Sequence, residues 1–211
     1  MDVSRWKIGC DDFLSVYANI DVLKTKIPLN LMVEGRQVRV RVFRKEGFDA
    51  VYRKVATAIE GDFIGKATLD NQDSAFLLIV CKEDPLVVKA YKLINKPPPA
   101  EGIWNISGGL KNFSGEKGLG TRLMQATEAL GNMYNIERIQ ITSVLSAVGF
   151  YENFGMRQIT YKVLDEEEGL TTDDAGIDIE TRTVEMIKRI GVRRGGRYFT
   201  TNDIRRGALM G

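Results

Sequence analysis

The chain contains 211 residues and carries a net charge of +2, which is too small to indicate nucleic-acid or membrane binding by itself. It has no histidine, so Ser-His-Asp catalysis, Cys-His catalysis and metal sites that need an imidazole ligand are excluded. Any acid–base chemistry must therefore use Tyr, Asp, Glu, Lys, Cys or water.

The two cysteines, Cys10 and Cys81, form neither a disulfide framework nor a zinc-ligand pattern, and we interpret them as reduced, buried thiols. No apolar run approaches the ~20 residues that a bilayer crossing needs. Residues 1–10 lack the apolar segment of a signal peptide. The sequence therefore predicts a cytoplasmic protein with no membrane partner and no metal.

Apolar spacing in the first part of the chain changes between helical and strand patterns. Asp11 to Leu23 has loosely helical spacing. Pro28 to Arg44 is predicted to form two strands, because apolar residues alternate on either side of a turn at Glu34-Gly35. A helix is predicted from Phe48 to Ile59.

A hairpin is predicted next. The apolar run from Ala75 to Lys82 is typical of a buried strand, and Asp84-Pro85 marks a turn. Leu86 to Ile94 supplies the second strand. The prolines at 97–99 then end the pattern with a stiff, extended connector.

The following residues alternate between strands and helices. The predicted elements, in chain order, are a strand at Ile103–Leu110, a helix at Thr121–Gly131, a strand at Ile136–Val144, a short helix at Ala147–Phe154 and a strand at Met156–Leu164. In the first of these, Gly108-Gly109 indicates a bulge or the close approach of another backbone. Such alternation implies an α/β fold with a crossover between parallel strands.

The composition changes beyond Leu164. Asp165 to Glu180 is acidic and Arg182 to Arg206 is mainly basic, with a helix predicted at Thr183–Ile190. We divide the chain into an N-terminal extension (1–27), a central domain (28–164) and a charged C-terminal extension (165–211). Charge blocks are usually solvated faces or interaction tails, so the extension is a candidate surface for a protein partner or a second copy of the chain. Few aromatic residues accompany the basic block, which does not favour nucleic-acid binding.

One glycine-rich segment has the features of an anion-binding loop. Gly115-Glu-Lys-Gly-Leu-Gly120 follows a predicted strand and opens a predicted helix. Glycines let the chain turn tightly so that backbone N–H groups converge, and the helix N-terminus adds roughly half a positive charge. A diphosphate suits such a site, and Lys117 adds charge at its rim. A glycine-rich turn before a core helix is the alternative, because the spacing fits neither G-x-G-x-x-G nor a Walker loop.

Two motifs carry a resemblance to one family. Ser114 to Met124 resembles the acetyl-CoA signature of the GNAT superfamily, Arg/Gln-x-x-Gly-x-Gly/Ala followed by a helix. Ser146 to Met156 resembles the family's second hallmark, Ala-x-x-x-Tyr-Glu-x-x-Gly-Phe. The two motifs flank a predicted strand, as they do in that family.

The resemblance implies a GNAT-type α/β fold, with a mixed, twisted central sheet, flanking helices and a central splayed pair of parallel strands. It implies an N-acetyltransferase in which a primary amine, on a small molecule or a protein, attacks acetyl-CoA directly. The implied cofactor-binding residues are Gly109, Leu110, Gly115, Glu116, Lys117, Gly118, Leu119, Gly120 and Thr121. Tyr151 matches the family's usual general acid, and the alternative is that it only packs in its short helix.

The chain departs from the family pattern at two positions. Gly115 stands where the family has an Arg or Gln that contacts phosphate, and Val144 stands where it often has Asn. No base is identifiable, since Glu101, Ser143, Ser146 and a water relayed to a carboxylate are equivalent candidates. These departures motivate a second hypothesis, a GNAT-fold binding or assembly protein without turnover.

Overall fold

The computed structural model describes residues 6–7, 12–25, 27, 29–58, 74–82, 87–99, 102–106, 109–159, 177–178, 183–194 and 197–199. Several sequence interpretations fall outside these residues: Cys10, the Asp84-Pro85 turn, Glu101, Gly108, the strand predicted beyond residue 159 and most of the two charge blocks.

The described residues form strands and helices with the following bounds. The strands are β1 (Trp6–Lys7), β2 (Asp12–Asn19), β3 (Asn30–Val33), β4 (Arg36–Phe43), β5 (Ser74–Lys82), β6 (Val88–Asn95), β7 (Ile103–Asn105), β8 (Leu110–Asn112), β9 (Arg138–Val144), β10 (Arg157–Gln158), β11 (Ile177–Asp178), β12 (Thr183–Arg189), β13 (Val192–Arg194) and β14 (Arg197–Phe199). The helices are α1 (Ile20–Leu23), α2 (Lys45–Ala58), α3 (Leu119–Met133) and α4 (Val148–Asn153), the last preceded by a 3₁₀ turn at Leu145–Ala147.

The chain divides into two compact units. The first contains Met1–Pro97 and Ser107–Met133, and the second contains Pro98–Ile106 and Tyr134–Gly211. Each unit has a mixed sheet with helices, so the α/β class predicted from the sequence is confirmed.

The sheet of the first unit has the strand order β3-β4-β2-β5-β6-β8, and β1 pairs with β2. Strand β2 is parallel to β4 and antiparallel to β5. The helical prediction for Asp11–Leu23 is therefore wrong except at α1. Residues 12–19, assigned to the N-terminal extension from the sequence, form a strand in the middle of this sheet. Residues 14–19 are all buried, so both faces of β2 are covered and its sequence shows no strand alternation.

Four further secondary-structure predictions for the first unit agree with the structure, namely the β3–β4 hairpin, α2, the β5–β6 pair and α3. Strands β3 and β4 form an antiparallel hairpin whose turn holds Glu34 at φ +49° and Gly35 at φ +74°. Positive φ at both turn residues suits the right-handed twist of the flanking strands. Helix α2 and the antiparallel pair β5–β6 occupy the predicted segments, and α3 extends the predicted Thr121–Gly131 helix at both ends.

The sheet of the second unit has the strand order β10-β12-β9-β7, with β11 paired to β12. Strand β7 runs parallel to β9, which confirms the predicted crossover. The helix predicted at Thr183–Ile190 is wrong, because β12 pairs antiparallel with the whole of β9. Val184 and Met186 alternate as buried residues along it. Strands β13 and β14 form a separate hairpin.

The single strand predicted at Ile103–Leu110 is also corrected. The chain instead forms two short strands, β7 and β8, that belong to different units. Strand β7 pairs with β9, whereas β8 pairs antiparallel with β6. The interruption includes Gly109, part of the glycine pair that indicated an irregular strand.

Candidate functional site

Two glycines in the loop between β8 and α3 adopt positive φ and leave open space beside the backbone. Gly115 has φ +69° and Gly118 has φ +90°, a region that residues with a side chain adopt only at a cost. A Cβ atom built at either glycine would meet no atom within 4 Å. Residues 113–118 are exposed. The backbone here therefore faces open space and can be approached closely.

The loop leads directly into the N-terminus of α3, a helix of 15 residues. The first bond of this helix runs from the Arg122 N–H to the Gly118 carbonyl oxygen at 3.0 Å. The amides of Leu119, Gly120 and Thr121 precede that bond, so they have no acceptor within the helix. Together with the partial positive charge of the helix end, they can bind an anion.

Polar side chains fix the shape of the loop. The Asn112 Nδ2 donates to the Glu116 carbonyl oxygen at 2.8 Å, and the Ser114 Oγ donates to the Asn112 Oδ1 at 3.1 Å. The Glu116 N–H donates to the Ser114 Oγ at 3.2 Å. A loop with its turn fixed in this way needs little ordering when a ligand binds.

The charges at the loop are partly paired. The Lys89 Nζ lies 2.7 Å from the Glu116 Oε1, so the carboxylate that would repel an anion is offset. The guanidinium of Arg122, in the first turn of α3, pairs with Glu34 at the tip of the β3–β4 hairpin. This ion pair joins the hairpin to α3, while Lys117 is exposed at the rim of the loop.

All the predicted cofactor-binding residues belong to the first unit. Gly109 directly precedes β8, Leu110 is the first residue of β8, and the rest occupy the loop and the first turn of α3. The Gly109 carbonyl oxygen accepts the Leu93 N–H at 3.2 Å. A Cβ at Gly109 would lie 3.8 Å from the Tyr91 Oη, an ordinary contact. The positive φ of Gly118 therefore favours glycine at that position, whereas packing does not require glycine at Gly109.

The predicted acid, Tyr151, belongs to the second unit and lies on α4. Its side chain is half-buried, and its ring meets the Phe150 ring edge to face at a centroid distance of 4.9 Å. Burial raises the pKa of the Tyr151 phenol above its usual value. The phenol is therefore protonated at neutral pH and can donate a proton.

The C-terminus of α4 is fixed by a Schellman motif. The Gly155 N–H donates to the Glu152 carbonyl oxygen at 2.8 Å, and the Met156 N–H donates to that of Tyr151 at 2.9 Å. From β12, the Lys188 Nζ donates to the Phe154 carbonyl oxygen at 2.7 Å and lies 3.8 Å from the centre of its ring. Hydrogen bonding and a cation–π contact thus attach the Tyr151 helix to the sheet of its own unit.

Gly155→Ala should lower the free energy of unfolding of the protein by about 1–2 kcal/mol, because Gly155 has φ +87° and alanine is strained there. Gly149→Ala is the matched control, since Gly149 lies within α4 and a Cβ there meets nothing within 4 Å. Gly149→Ala should raise the free energy of unfolding by about 0.5–1 kcal/mol. Urea unfolding measures both, and a shift of the same sign for the two variants would contradict the capping role.

The base candidates gain no support from the described residues. Ser143 is buried, and its hydroxyl donates to the Val144 carbonyl oxygen at 3.0 Å. Ser146 is exposed. Val144 itself is 55% exposed, so its side chain presents an apolar surface. In the part of the chain that the structure describes, no group of three or more Cys, Asp or Glu side chains has metal-binding geometry.

One residue with unusual chemistry was not identified from the sequence. Lys92, on β6, is 1% exposed, and burial lowers its pKa to about 8. Strand alternation within the predicted segment Leu86–Ile94 places Lys92 on the same face as Ala90 and Ile94, both buried. That alternation was the available signal.

Comparisons with known proteins give matches in structure. No protein-family model matches the chain, and no curated protein matches its sequence. An acetyltransferase from Streptococcus agalactiae matches at 12% identity and a TM-score of 0.43, covering 84% of this chain and 98% of its own. An acyl-CoA N-acyltransferase from Pseudomonas aeruginosa matches at 15% identity and a TM-score of 0.43, covering 65% and 88%. Ard1 from Thermoplasma volcanium matches at 15% identity and a TM-score of 0.42, covering 70% and 93%.

The TM-scores of these matches are all below 0.5. At such identities and TM-scores they concern the fold, so the functional argument depends on the residues of this chain. Among the described helices, none combines the length and the hydropathy required to span a bilayer.

Proposed function

We propose that this chain is a GNAT-type N-acetyltransferase that binds acetyl-CoA and transfers its acetyl group to a primary amine. The observation that carries the proposal is the open glycine loop at the N-terminus of α3. Gly115 and Gly118 adopt positive φ there, and the space a Cβ would occupy is open. A diphosphate needs both this close approach to backbone amides and a helix N-terminus.

The residues present fit acetyl-CoA. The amides at Gly118–Thr121 are suited to hold its diphosphate, with Lys117 at the rim. Gly109, directly before β8, and Leu110, its first residue, are proposed to contact the pantetheine arm. Bound acetyl-CoA supplies a thioester carbonyl that an amine can attack. The pre-formed loop contributes by holding the cofactor in a fixed orientation for that attack.

Tyr151 is proposed as the general acid that protonates the departing thiolate. Its half-buried phenol keeps its proton at neutral pH, as a donor must. The acceptor amine, on a small molecule or a protein, must reach the reaction as the free base, and we assign no residue to its deprotonation. We expect the reaction to take place in the cytoplasm.

Tyr151→Phe should lower kcat about 100-fold and leave the Kd for acetyl-CoA unchanged, because the ring is kept and only the hydroxyl is lost. Steady-state thiol release measures kcat, and calorimetry measures Kd. Phe150→Leu, one position away on α4, is the control and should change kcat less than Tyr151→Phe. Equal kcat for Tyr151→Phe and the wild type would exclude Tyr151 as the acid.

The experiment for the proposed function is calorimetry with acetyl-CoA, followed by thiol release with a panel of amines. Saturable binding and amine-dependent thiol release are expected. The second hypothesis, a binding or assembly protein, is favoured by the lack of a phosphate-contacting side chain at Gly115 and by the exposed Val144. Absence of binding at millimolar acetyl-CoA, or binding without thiol release from any amine, would support that role instead.

A further inference from the structure

Lys92 lies in an apolar row across the sheet of the first unit. It is opposite Leu78 of β5 on one side and Leu110 of β8 on the other, and Leu78 is in turn opposite Val16 of β2. Val16 and Leu78 are fully buried and Lys92 is 1% exposed. Lysine is almost never buried to this degree without a partner, so its presence here needs an explanation.

The side chain of Lys92 lies on the face of the sheet that α3 covers. Its neighbours in sequence, Tyr91 and Leu93, belong to the core cluster that packs against α2, and strand alternation directs Lys92 to the opposite face. Helix α3 packs against β5, β6 and β8. The buried residues of α3 carry no charge: Leu119, Gly120, Leu123, Met124, Ala126, Thr127, Leu130 and Gly131.

Among the described residues, no charged group on the surrounding elements offsets the charge of Lys92. On α3, Arg122 pairs with Glu34, and Glu128 is half-buried. Strand β3, which also packs against α3, has no ionisable side chain. In the loop, Glu116 pairs with Lys89. Burial is the cause of the lowered Lys92 pKa, about 8, and no carboxylate contributes to it.

Lys92 is also close to the glycine loop along the strands. Its partner Leu110 is two residues before Asn112, whose side chain binds the loop at the Glu116 carbonyl oxygen. At about 3.3 Å per residue, the backbone of Lys92 lies roughly 7 Å along the strand from that attachment point. This offset joins backbone positions, and it places Lys92 in the part of the sheet next to the loop. Charges that are separated by protein rather than water interact more strongly than charges in water.

We propose that the Lys92 ammonium group is a positioning charge for the diphosphate of coenzyme A, held beneath α3 behind the glycine loop. The inference rests on the proposed function, since it assumes that the loop binds coenzyme A. An anion in the loop stabilises the protonated form of Lys92. Binding of coenzyme A is therefore coupled to uptake of a proton by Lys92 at a pH above its pKa in the free protein.

The test is calorimetry with coenzyme A and with pantetheine, which lacks the diphosphate. Titrations at pH 8.5 in two buffers of different ionisation enthalpy give the number of protons taken up. If the pKa of Lys92 rises by one unit, the wild type takes up about half a proton per coenzyme A. Lys92→Met should lose this uptake, while its affinity for pantetheine is unchanged. It should bind coenzyme A about 3-fold more weakly at pH 8.5 and about 10-fold more weakly at pH 7, where Lys92 is largely protonated.

The matched control is Lys54→Met, at an exposed position on α2, which should behave as the wild type with both ligands. Equal coenzyme A affinity and equal proton uptake in Lys92→Met and wild type would overturn the inference. An equal loss of affinity for pantetheine would also overturn it, since that result indicates altered packing. If the wild type binds no coenzyme A, the proposed function fails and the inference fails with it.

Discussion

Lys92→Met should increase the free energy of unfolding by about 3 kcal/mol at pH 7. The folded-state pKa of Lys92 is about 8, whereas the ordinary value in an unfolded chain is 10.5. The folded protein therefore holds a buried charge at pH 7 that the unfolded chain holds in water. The gap between the two pKa values corresponds to roughly 3 kcal/mol of destabilisation, which methionine removes while filling a similar volume.

The pH dependence of this effect has a definite sign. Between pH 8 and pH 10.5 the unfolded chain binds more protons at this site than the folded protein does, so the wild type gains stability as pH rises. The difference in the free energy of unfolding between Lys92→Met and the wild type should therefore be largest below pH 8 and decrease towards zero at pH 10.5. Urea titrations at several pH values measure it. A difference that is the same at pH 7 and pH 10.5 would show that packing and not charge is responsible.

The expected gain in stability would accompany a loss of coenzyme A affinity. A residue that destabilises the fold while supporting a ligand is a common trade-off at functional sites. Lys54→Met again serves as the control, because an exposed substitution on α2 should change the free energy of unfolding by less than about 0.5 kcal/mol.

Gly118→Val should weaken coenzyme A binding by about 100-fold or more. The valine has to adopt φ +90°, which is strained for a β-branched residue, and its side chain occupies the open space in front of the α3 amides. If the loop relaxed to relieve this strain, its backbone amides would no longer converge on the position proposed for the diphosphate. Calorimetry with coenzyme A measures the loss, and circular dichroism verifies that the fold is retained.

Gly35→Val is the matched control for strain. Gly35 also has a positive φ, +74°, and a Cβ there also meets nothing within 4 Å. It lies in the β3–β4 turn and not in the loop. Both variants should lose a similar amount of stability, about 1–2 kcal/mol, but Gly35→Val should retain coenzyme A affinity. Equal affinities of the two variants for coenzyme A would contradict the assignment of the loop.

The β3–β4 hairpin, which has one buried face, was predictable from the sequence, whereas β2, which is buried on both faces, was not. The β3–β4 hairpin alternates in burial and was predicted with its turn at Glu34-Gly35. Strand β2 is buried on both faces, so its sequence lacks the alternation that distinguishes a strand from a buried helix. Its place in the sheet depends on pairing with β5, far away in sequence.

Strand β12 was mistaken for a helix for a related reason. Its buried residues, Val184 and Met186, are separated by the half-buried Glu185, whose carboxylate accepts from the Gln140 Nε2 at 2.7 Å on β9. That partner is distant in sequence, so local spacing could not identify it. Pairing along the whole of β9 decided the conformation.

In the candidate site, too, one feature was predictable from the sequence and another was not. The glycine loop was predictable, because positive φ at a helix entry requires particular residues at particular positions. Lys92 was not identified, because a lysine within a Val- and Tyr-rich strand is ordinarily assigned to the solvent face. Only the packing of α3 over β6 shows that its ammonium group is buried. The cofactor-binding and acid residues remain predictions to be tested.

The most direct measurement is the change in backbone amide NMR shifts when coenzyme A or pantetheine is added. If the loop binds the diphosphate, coenzyme A should cause large changes in the amide chemical shifts of Gly118, Leu119, Gly120 and Thr121. Pantetheine should leave these chemical shifts unchanged. Coenzyme A shifts that are largest elsewhere in the chain, with these four amides unmoved, would contradict the account.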